Sequence, residues 1–163
     1  MTIRLCKISL VAALASFFTL VAFGNVTDYV TNEEFLRHVF SMDTIFETSN
    51  LRWRAITNPT LQTGGYWLII ATQIIAAAVL WTGSIRLLGK LNSNGFDRAK
   101  RIAAAGLTLG FLLYAVGFIL IGGEWFAMWQ SPTWNGQQTA FGFLAMIGVA
   151  LIVLLIPDGD APA

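Results

Sequence analysis

The sequence predicts an all-α polytopic membrane protein, a four-transmembrane-helix bundle with a structured cap of loops on its outer side. Its 163 residues are 56% hydrophobic and only 12% charged, with a mean hydropathy of +0.66. An ordinary soluble domain carries about 25% charged residues. A net charge of +1 argues against a nucleic-acid-binding protein, and the single cysteine excludes an intrachain disulfide.

Four apolar stretches have the length of a membrane-spanning helix. They cover about residues 8–24, 66–88, 102–122 and 139–156 of a single membrane domain, residues 1–163. A helix needs roughly 20 residues to cross the ~30 Å hydrocarbon layer of a bilayer. The first stretch also fits a secretory signal peptide, because Arg4 and Lys7 precede it. Its apolar run is longer than a signal core, so we expect an uncleaved span.

The basic residues predict which side of the membrane each loop occupies. Most of them lie at the N-terminus or between spans two and three: Arg4, Lys7, Arg86, Lys90, Arg98, Lys100 and Arg101. The first outer loop, about residues 25–65, carries Arg37, Arg52 and Arg54, and the second, about residues 123–138, carries no basic residue. Lys and Arg concentrate in cytoplasmic loops, so we expect both termini in the cytoplasm.

The first outer loop contains a predicted amphipathic helix. Thr31 and Glu34 have the spacing of a capping box, with Thr31 as the N-cap. Phe35, Leu36 and Val39 then recur at helical spacing, which predicts one apolar face. Asn58-Pro59 is a turn signal that leads the chain back to span two.

The second outer loop begins with Gly122-Gly123, which we expect to end span three through a left-handed cap. Trp125 and Trp129 are four residues apart, so they share a face if this segment is helical.

A candidate binding pocket combines the two outer loops. Its residues are Glu124, Trp125 and Trp129 of the second loop and Arg52, Trp53 and Arg54 of the first. A carboxylate and a guanidinium between aromatic walls suit a lipid headgroup, a quinone ring or a protein partner. The favoured alternative is structural: an ion pair between Glu124 and one of the arginines that fastens the first loop over the helices.

Small and polar residues inside the spans predict helix packing. Gly106, Gly110 and Gly117 form a small-residue face in span three, which suits either internal packing or a partner helix. Gln73 lies well inside span two and is expected to hydrogen-bond to a neighbouring helix. The absence of ionisable residues at depth argues against an ion-coupled transporter.

No cofactor or metal site is expected. His38 is the only histidine, so the chain cannot supply two axial histidines to a haem or several histidine ligands to a metal ion. We expect His38 to be exposed on the amphipathic helix. The chain also lacks nucleotide-binding and hydrolase motifs, which favours a protein that is not an enzyme.

The string GGEWFAMWQSPTWNGQ, after WRAI at residues 53–56, resembles a bacterial family of predicted small integral membrane proteins, a domain of unknown function. The resemblance covers nearly the whole chain. It implies four spans in a bacterial inner membrane, which makes the outer cap periplasmic. It implies no assigned chemistry, so no catalytic residue is carried over.

These observations favour a non-enzymatic accessory or assembly subunit docked on a larger inner-membrane complex, respiratory or photosynthetic. The expected partners are the lipid bilayer and that larger membrane protein, with no nucleic acid. Two alternatives stay open: a small-molecule, lipid or quinone binder at the outer face, and a small subunit of a transporter.

Overall fold

The structure is a computed structural model that describes residues 1–158, and this range is helical with connecting loops and contains no strand. The α-helices are α1 (Thr2–Thr27), α2 (Tyr29–Ser41), α3 (Pro59–Gly89), α4 (Phe96–Leu112) and α5 (Gln137–Leu155). A π-helix, Leu113–Trp125, continues α4, and two short 3₁₀ turns cover Arg52–Arg54 and Met128–Gln130.

The four predicted spans are confirmed as long apolar helices. In residues 1–158, the segments long and apolar enough to cross a membrane are Thr2–Thr27, Pro59–Gly89, Phe96–Trp125 and Gln137–Leu155. Their mean hydropathies lie between 1.9 and 2.2. Ser16 and Thr19 donate their hydroxyls to the carbonyls of Ala12 and Ala15, so these polar groups are satisfied within α1.

Asn58 and Pro59 begin α3 instead of forming a separate turn before it. The Asn58 side chain accepts hydrogen bonds from the backbone N–H groups of Thr60, at 2.9 Å, and Leu61, at 3.4 Å. An Asn cap followed by Pro at the first helical position is a favourable helix start. The helix therefore begins before the apolar stretch that predicted it at residue 66.

The chain divides into two compact units, and the long helices contribute residues to both. We call the first the terminal unit; it comprises Met1–Ala22, Thr72–Phe111 and Ala145–Ala163, described as far as residue 158. We call the second the loop unit; it comprises Phe23–Ala71 and Leu112–Leu144 and contains both predicted outer loops.

The terminal unit brings α3 and α4 into close contact at Gly83. A Cβ atom on Gly83 would lie 2.7 Å from the backbone of Ala103, so only glycine fits there. In a membrane, close packing replaces the hydrophobic effect in holding helices together. The close approach at Gly83 therefore lets α3 and α4 pack directly against each other.

The loop unit contains the predicted amphipathic helix, but with a different start. Helix α2 begins at Tyr29, after Asp28, whose side chain makes no capping hydrogen bond. Thr31 lies inside the helix, so the predicted capping box is wrong. The chain is already helical before Thr31, because α1 runs to Thr27 and the Asp28 N–H still bonds to the Gly24 carbonyl. Leu36 and Val39 are buried, as their spacing predicted.

The end of the third span also differs from the prediction. Gly122 and Gly123 lie within the π-helix, and no glycine in residues 1–158 has a positive φ. The left-handed residue is Ala127, with φ of 51°. Gly123 instead lies against the end of the Gln137 side chain, which would lie 2.6 Å from a Cβ atom there and would have to move.

A small hydrophobic core joins the two predicted outer loops. Its buried residues are Val39, Met42, Ile45, Phe126, Ala127 and Met128. Met42 and Ala127 both adopt left-handed backbone conformations, with φ near 50°, and both are buried in this core. Such conformations cost about 1 kcal/mol or more for residues with a side chain, so the packing of this core must hold them.

Candidate functional site

Arg52 is held by the backbone of its own loop. Its Nη1 donates to the Met42 carbonyl at 3.2 Å, and its Nη2 donates to the carbonyls of Ile45, at 3.0 Å, and Phe46, at 3.5 Å. These carbonyls follow the end of α2 at Ser41. A cation beside the free carbonyls of a helix C-terminus is stabilising. Arg52 therefore organises the turn that follows α2.

Arg54 connects the first loop to the second. Its Nη1 donates to the backbone carbonyls of Glu124, at 3.4 Å, and Trp125, at 3.3 Å. Its guanidinium carbon lies 4.9 Å from the ring centre of Trp125 and 5.3 Å from that of Trp53. The Nε of Arg54 is buried and has no hydrogen-bond partner among the described residues. A buried donor without an acceptor costs roughly 1–3 kcal/mol.

The predicted ion pair between Glu124 and an arginine is not formed. The ion pairs found in residues 1–158 do not include the Glu124 carboxylate, and this residue is exposed. Arg54 instead donates to the backbone carbonyl of Glu124. The last carbonyls of a helix accept no hydrogen bond from an N–H group of the same helix, so they are open to a side-chain donor. The sequence therefore predicted the right neighbours but the wrong atoms.

Trp125 and Trp129 do not share a face, because the chain bends at Ala127 between them. The Trp125 ring packs edge-to-face on Trp53, with ring centres 6.0 Å apart. The Trp129 ring packs edge-to-face on Phe46, with ring centres 5.9 Å apart. The six candidate pocket residues thus divide between two places.

Two grooves open on the surface of the loop unit at these places. The arginine groove has a volume of about 420 Å³ and is lined by Arg54, Leu120, Ile121, Glu124 and Trp125. The acidic groove has a volume of about 700 Å³ and is lined by Asp43, Thr44, Ile45, Phe46, Glu47, Arg52, Trp129, Gln130, Ser131 and Pro132.

The acidic groove presents acceptors and aromatic rings. Asp43 and Glu47 are exposed carboxylates, and Phe46 and Trp129 are about half exposed. The side-chain oxygen of Gln130 is buried and accepts no hydrogen bond from the described residues. Arg52 already serves three carbonyls of its own loop, so its guanidinium does not pair with the Glu47 carboxylate in this groove.

His38 is not simply exposed, which corrects the expectation from the sequence. Its ring stacks on Trp134 of the second loop, with ring centres 4.5 Å apart and planes at 8°. Its Nδ1 lies 2.7 Å from the Asp43 carboxylate, and its Nε2 lies 3.7 Å from that of Glu34. The sequence could not place Trp134 over a helix 96 residues upstream. Within residues 1–158, no three His, Cys, Asp or Glu side chains are grouped to hold a metal ion.

The glycine face of the third span packs inside the terminal unit. A Cβ atom on Gly110 would lie 2.4 Å from the Phe18 ring of α1, and one on Gly106 would lie 2.9 Å from Leu80 of α3. Phe18 and Leu80 are fully buried. Of the two uses that the sequence left open, the structure shows internal packing at these two positions.

Gly117 and Gln73 differ from these two glycines. Gly117 lies in the π-helix, and a Cβ atom there would contact only Leu113 of the same helix, at 3.7 Å. Gln73 of α3 is 2% exposed, as expected for an amide inside a packed span.

Comparison with protein families supports the resemblance seen in the second outer loop. Residues 3–157 match the model of the family described as "Predicted small integral membrane protein (DUF2165)". The chain belongs to this family. No curated protein and no solved structure gives a match to the chain. The family membership confirms an integral membrane protein, and its description assigns no chemistry to either groove.

This small integral membrane protein also contains a buried charge cluster that the sequence analysis did not identify. Lys7 Nζ and Lys100 Nζ both bond to the Asp158 carboxylate, and both donate to the Ile156 carbonyl. Lys100 also pairs with Asp97, at 2.5 Å. The available signal was that each lysine borders an apolar span, where a buried cation needs a partner.

The Asp158 carboxyl remains ionised in this cluster. Burial alone would raise its pKa, but the hydrogen bonds from Lys100 and Lys7 outweigh burial and lower the pKa below its usual 3.8. Arg4 has a comparable structural role nearby. It donates to the carbonyls of Leu91 and Ser93 in the loop between α3 and α4.

Proposed function

We propose that this integral membrane protein is a non-enzymatic accessory subunit of the bacterial inner membrane, with both termini in the cytoplasm. In this proposal it docks on a larger membrane protein through the acidic groove. The observation that carries the proposal is a pair of exposed carboxylates, on Asp43 and Glu47, in a groove that also exposes two aromatic rings.

The chemistry of the acidic groove favours a positively charged protein segment. A lysine or arginine of the partner would lie between the carboxylates of Asp43 and Glu47, which accept charge-assisted hydrogen bonds from it. The exposed rings of Phe46 and Trp129 add cation–π attraction for the same group. Exposed aromatic residues of this kind are enriched at the energetic centres of protein interfaces.

The hydroxyl groups in the acidic groove support binding over catalysis. Thr44 and Ser131 are hydrogen-bonded to each other at 2.7 Å, and Ser131 also accepts from the backbone N–H groups of Thr133 and Trp134. His38, the only histidine, is stacked on Trp134 and bonded to Asp43. A hydroxyl nucleophile needs a base in hydrogen-bond contact, and the hydroxyls here serve the loop structure.

The proposal is tested by site-specific photocrosslinking in native bacterial membranes. A photoreactive phenylalanine analogue at Phe46 should give one discrete adduct with a membrane protein that has a basic segment on the same side. The same analogue at Leu61, an exposed residue outside the groove, is the positional control. Glu47→Lys should reduce the Phe46 adduct about tenfold or more, because it places a like charge beside the incoming cation.

A charge control distinguishes the acidic groove from its neighbour. Glu124→Lys makes the same change of charge in the arginine groove and should leave the Phe46 adduct unchanged. The proposal is wrong if the adduct is insensitive to Glu47→Lys, or if Leu61 captures the same protein equally well.

A further inference from the structure

The arginine groove lies where a membrane-spanning helix ends. Leu120 and Ile121 are exposed near the end of the π-helix, and Glu124 and Trp125 are its last two residues. The π-helix itself is the last part of the apolar segment Phe96–Trp125. Tryptophan and charged residues at such an end mark the level of the lipid headgroups. The wall of the groove is therefore apolar on the span side and polar at the helix end.

Arg54 is incompletely satisfied by the protein. Its Nη1 makes only long hydrogen bonds, at 3.3 and 3.4 Å, and its guanidinium forms no ion pair with a carboxylate of the described residues. Arg52, two residues earlier, has three backbone acceptors and serves as the internal comparison. A guanidinium binds phosphate with paired, charge-assisted hydrogen bonds. The groove thus contains a cation suited to an incoming phosphate.

Glu124 supplies the opposite charge in the same groove. Its carboxylate is exposed and makes no ion pair with another described residue, so it is available to a ligand. The indole of Trp125 lies beside it along the chain and also lines the groove. A carboxylate next to an aromatic face is a suitable site for an ammonium group.

We propose that the arginine groove binds the headgroup of a zwitterionic, amine-bearing phospholipid of the phosphatidylethanolamine class. The lipid phosphate pairs with Arg54, its ammonium donates to the Glu124 carboxylate, and an acyl chain lies against Leu120 and Ile121. An anionic phosphatidylglycerol headgroup lacks the ammonium that Glu124 requires. A choline headgroup has the positive charge but no N–H to donate. This site is separate from the acidic groove and does not depend on the docking role.

The test measures lipid binding to the full-length protein after delipidation in detergent. Phosphatidylethanolamine, phosphatidylglycerol and phosphatidylcholine with identical acyl chains are titrated and followed by native mass spectrometry. The wild type should bind phosphatidylethanolamine about tenfold more tightly than the other two lipids. Arg54→Gln should weaken the binding of all three about tenfold or more, because each headgroup carries a phosphate. Arg37→Gln removes one charge from another part of the loop unit and should change nothing.

Glu124→Gln is the decisive variant. The Glu124 carboxylate forms no ion pair with another described residue, so its removal should not disturb folding. It should weaken the binding of phosphatidylethanolamine more than that of phosphatidylcholine, because ethanolamine loses a charge-assisted hydrogen bond whereas choline loses only charge attraction. This variant keeps the test valid even if Arg54→Gln fails to fold.

Soluble competitors separate a lipid site from a simple phosphate site. Inorganic phosphate and phosphoethanolamine, each in large excess, should displace the lipid poorly, because they lack the acyl chain that contacts Leu120 and Ile121. Efficient displacement by inorganic phosphate would overturn the lipid assignment. Equal affinities for the three lipids, or an unchanged preference in Glu124→Gln, would equally show that no headgroup site exists.

Discussion

The Nζ of Lys7 lies 2.8 Å from the Oδ2 of Asp158, which connects the start of α1 to the segment that follows α5. The two side chains are only 1% and 6% exposed. Lys100 of α4 bonds to the same carboxylate, so one aspartate joins three parts of the chain. Opposite charges compensate in this buried cluster, and removing one of them leaves the others without a partner.

Asp158→Asn is expected to lower the stability of the protein. The substitution leaves Lys7 and Lys100 buried without the carboxylate that balances them, which should cost roughly 3 kcal/mol. Thermal unfolding of the purified protein in detergent measures the effect. Asp97→Asn is the matched control, because the Asp97 side chain is 51% exposed and its pair with Lys100 should contribute less than about 1 kcal/mol. Equal melting temperatures for wild type and Asp158→Asn would contradict the role of the cluster.

The ionisation of Asp158 should also make the stability of the protein depend on pH. The pKa of Asp158 is lower in the folded protein than its usual 3.8, so the folded state binds its proton more weakly than the unfolded state does. Its stabilising contribution is therefore complete above about pH 5 and is lost as the pH falls through 3.8 and below. Melting temperatures between pH 3 and pH 7 should fall at the acid end for the wild type. The fall should be smaller in Asp158→Asn, and identical profiles would exclude this carboxyl as a cause.

Gly110→Ala should destabilise the terminal unit. The added Cβ atom would lie 2.4 Å from the Phe18 ring, which is fully buried and has no room to move. Overpacking of this kind costs typically 1–3 kcal/mol. Gly142→Ala makes the same chemical change in α5 where nothing lies within 4 Å, and its melting temperature should be no lower than that of wild type, because alanine favours a helix more than glycine does. A stable Gly110→Ala variant would show that α1 and α4 do not approach this closely.

Topology is tested with alkaline phosphatase fusions, since this enzyme is active only outside the cytoplasm. A fusion at Ala163, which lies outside the described residues, should be inactive because the basic residues place the C-terminus inside. A fusion after Asn50, an exposed residue of the first loop, should be active. Activity at Ala163 together with silence after Asn50 would reverse the predicted orientation.

The sequence correctly predicted that the loops near residues 25–65 and 123–138 form a common structured region, but not which atoms make the contacts. Arg54 and Trp125 were both candidate residues, and they meet through a cation–π contact at 4.9 Å. The expected pairing with the Glu124 carboxylate did not form, since Arg54 bonds to backbone carbonyls at the helix end. Every residue has a backbone carbonyl, whatever its side chain. The sequence therefore does not indicate which carbonyl an arginine will bind.

Two other predictions from the sequence were also wrong, because the same residue type can serve more than one structural purpose. The Thr31 capping box satisfied a sequence rule, yet the chain is already helical before Thr31, since the Asp28 N–H bonds to the Gly24 carbonyl. Gly123 was expected to allow a left-handed turn, but it leaves space for the side chain of Gln137. In both cases a residue type has two physical uses, and only its neighbours in space select one.

Sequence patterns alone were enough to predict that this protein is helical and has four apolar segments long enough to span a membrane. Those properties depend on the length of apolar runs and on the cost of unpaired backbone groups in lipid, both of which can be read along the chain. The places where charged and aromatic side chains meet depend instead on packing in three dimensions. Lys7 and Asp158 are 151 residues apart, and Arg54 bonds to a carbonyl 71 residues away. Such contacts depend on how the helices and loops pack together, and no local pattern records that packing.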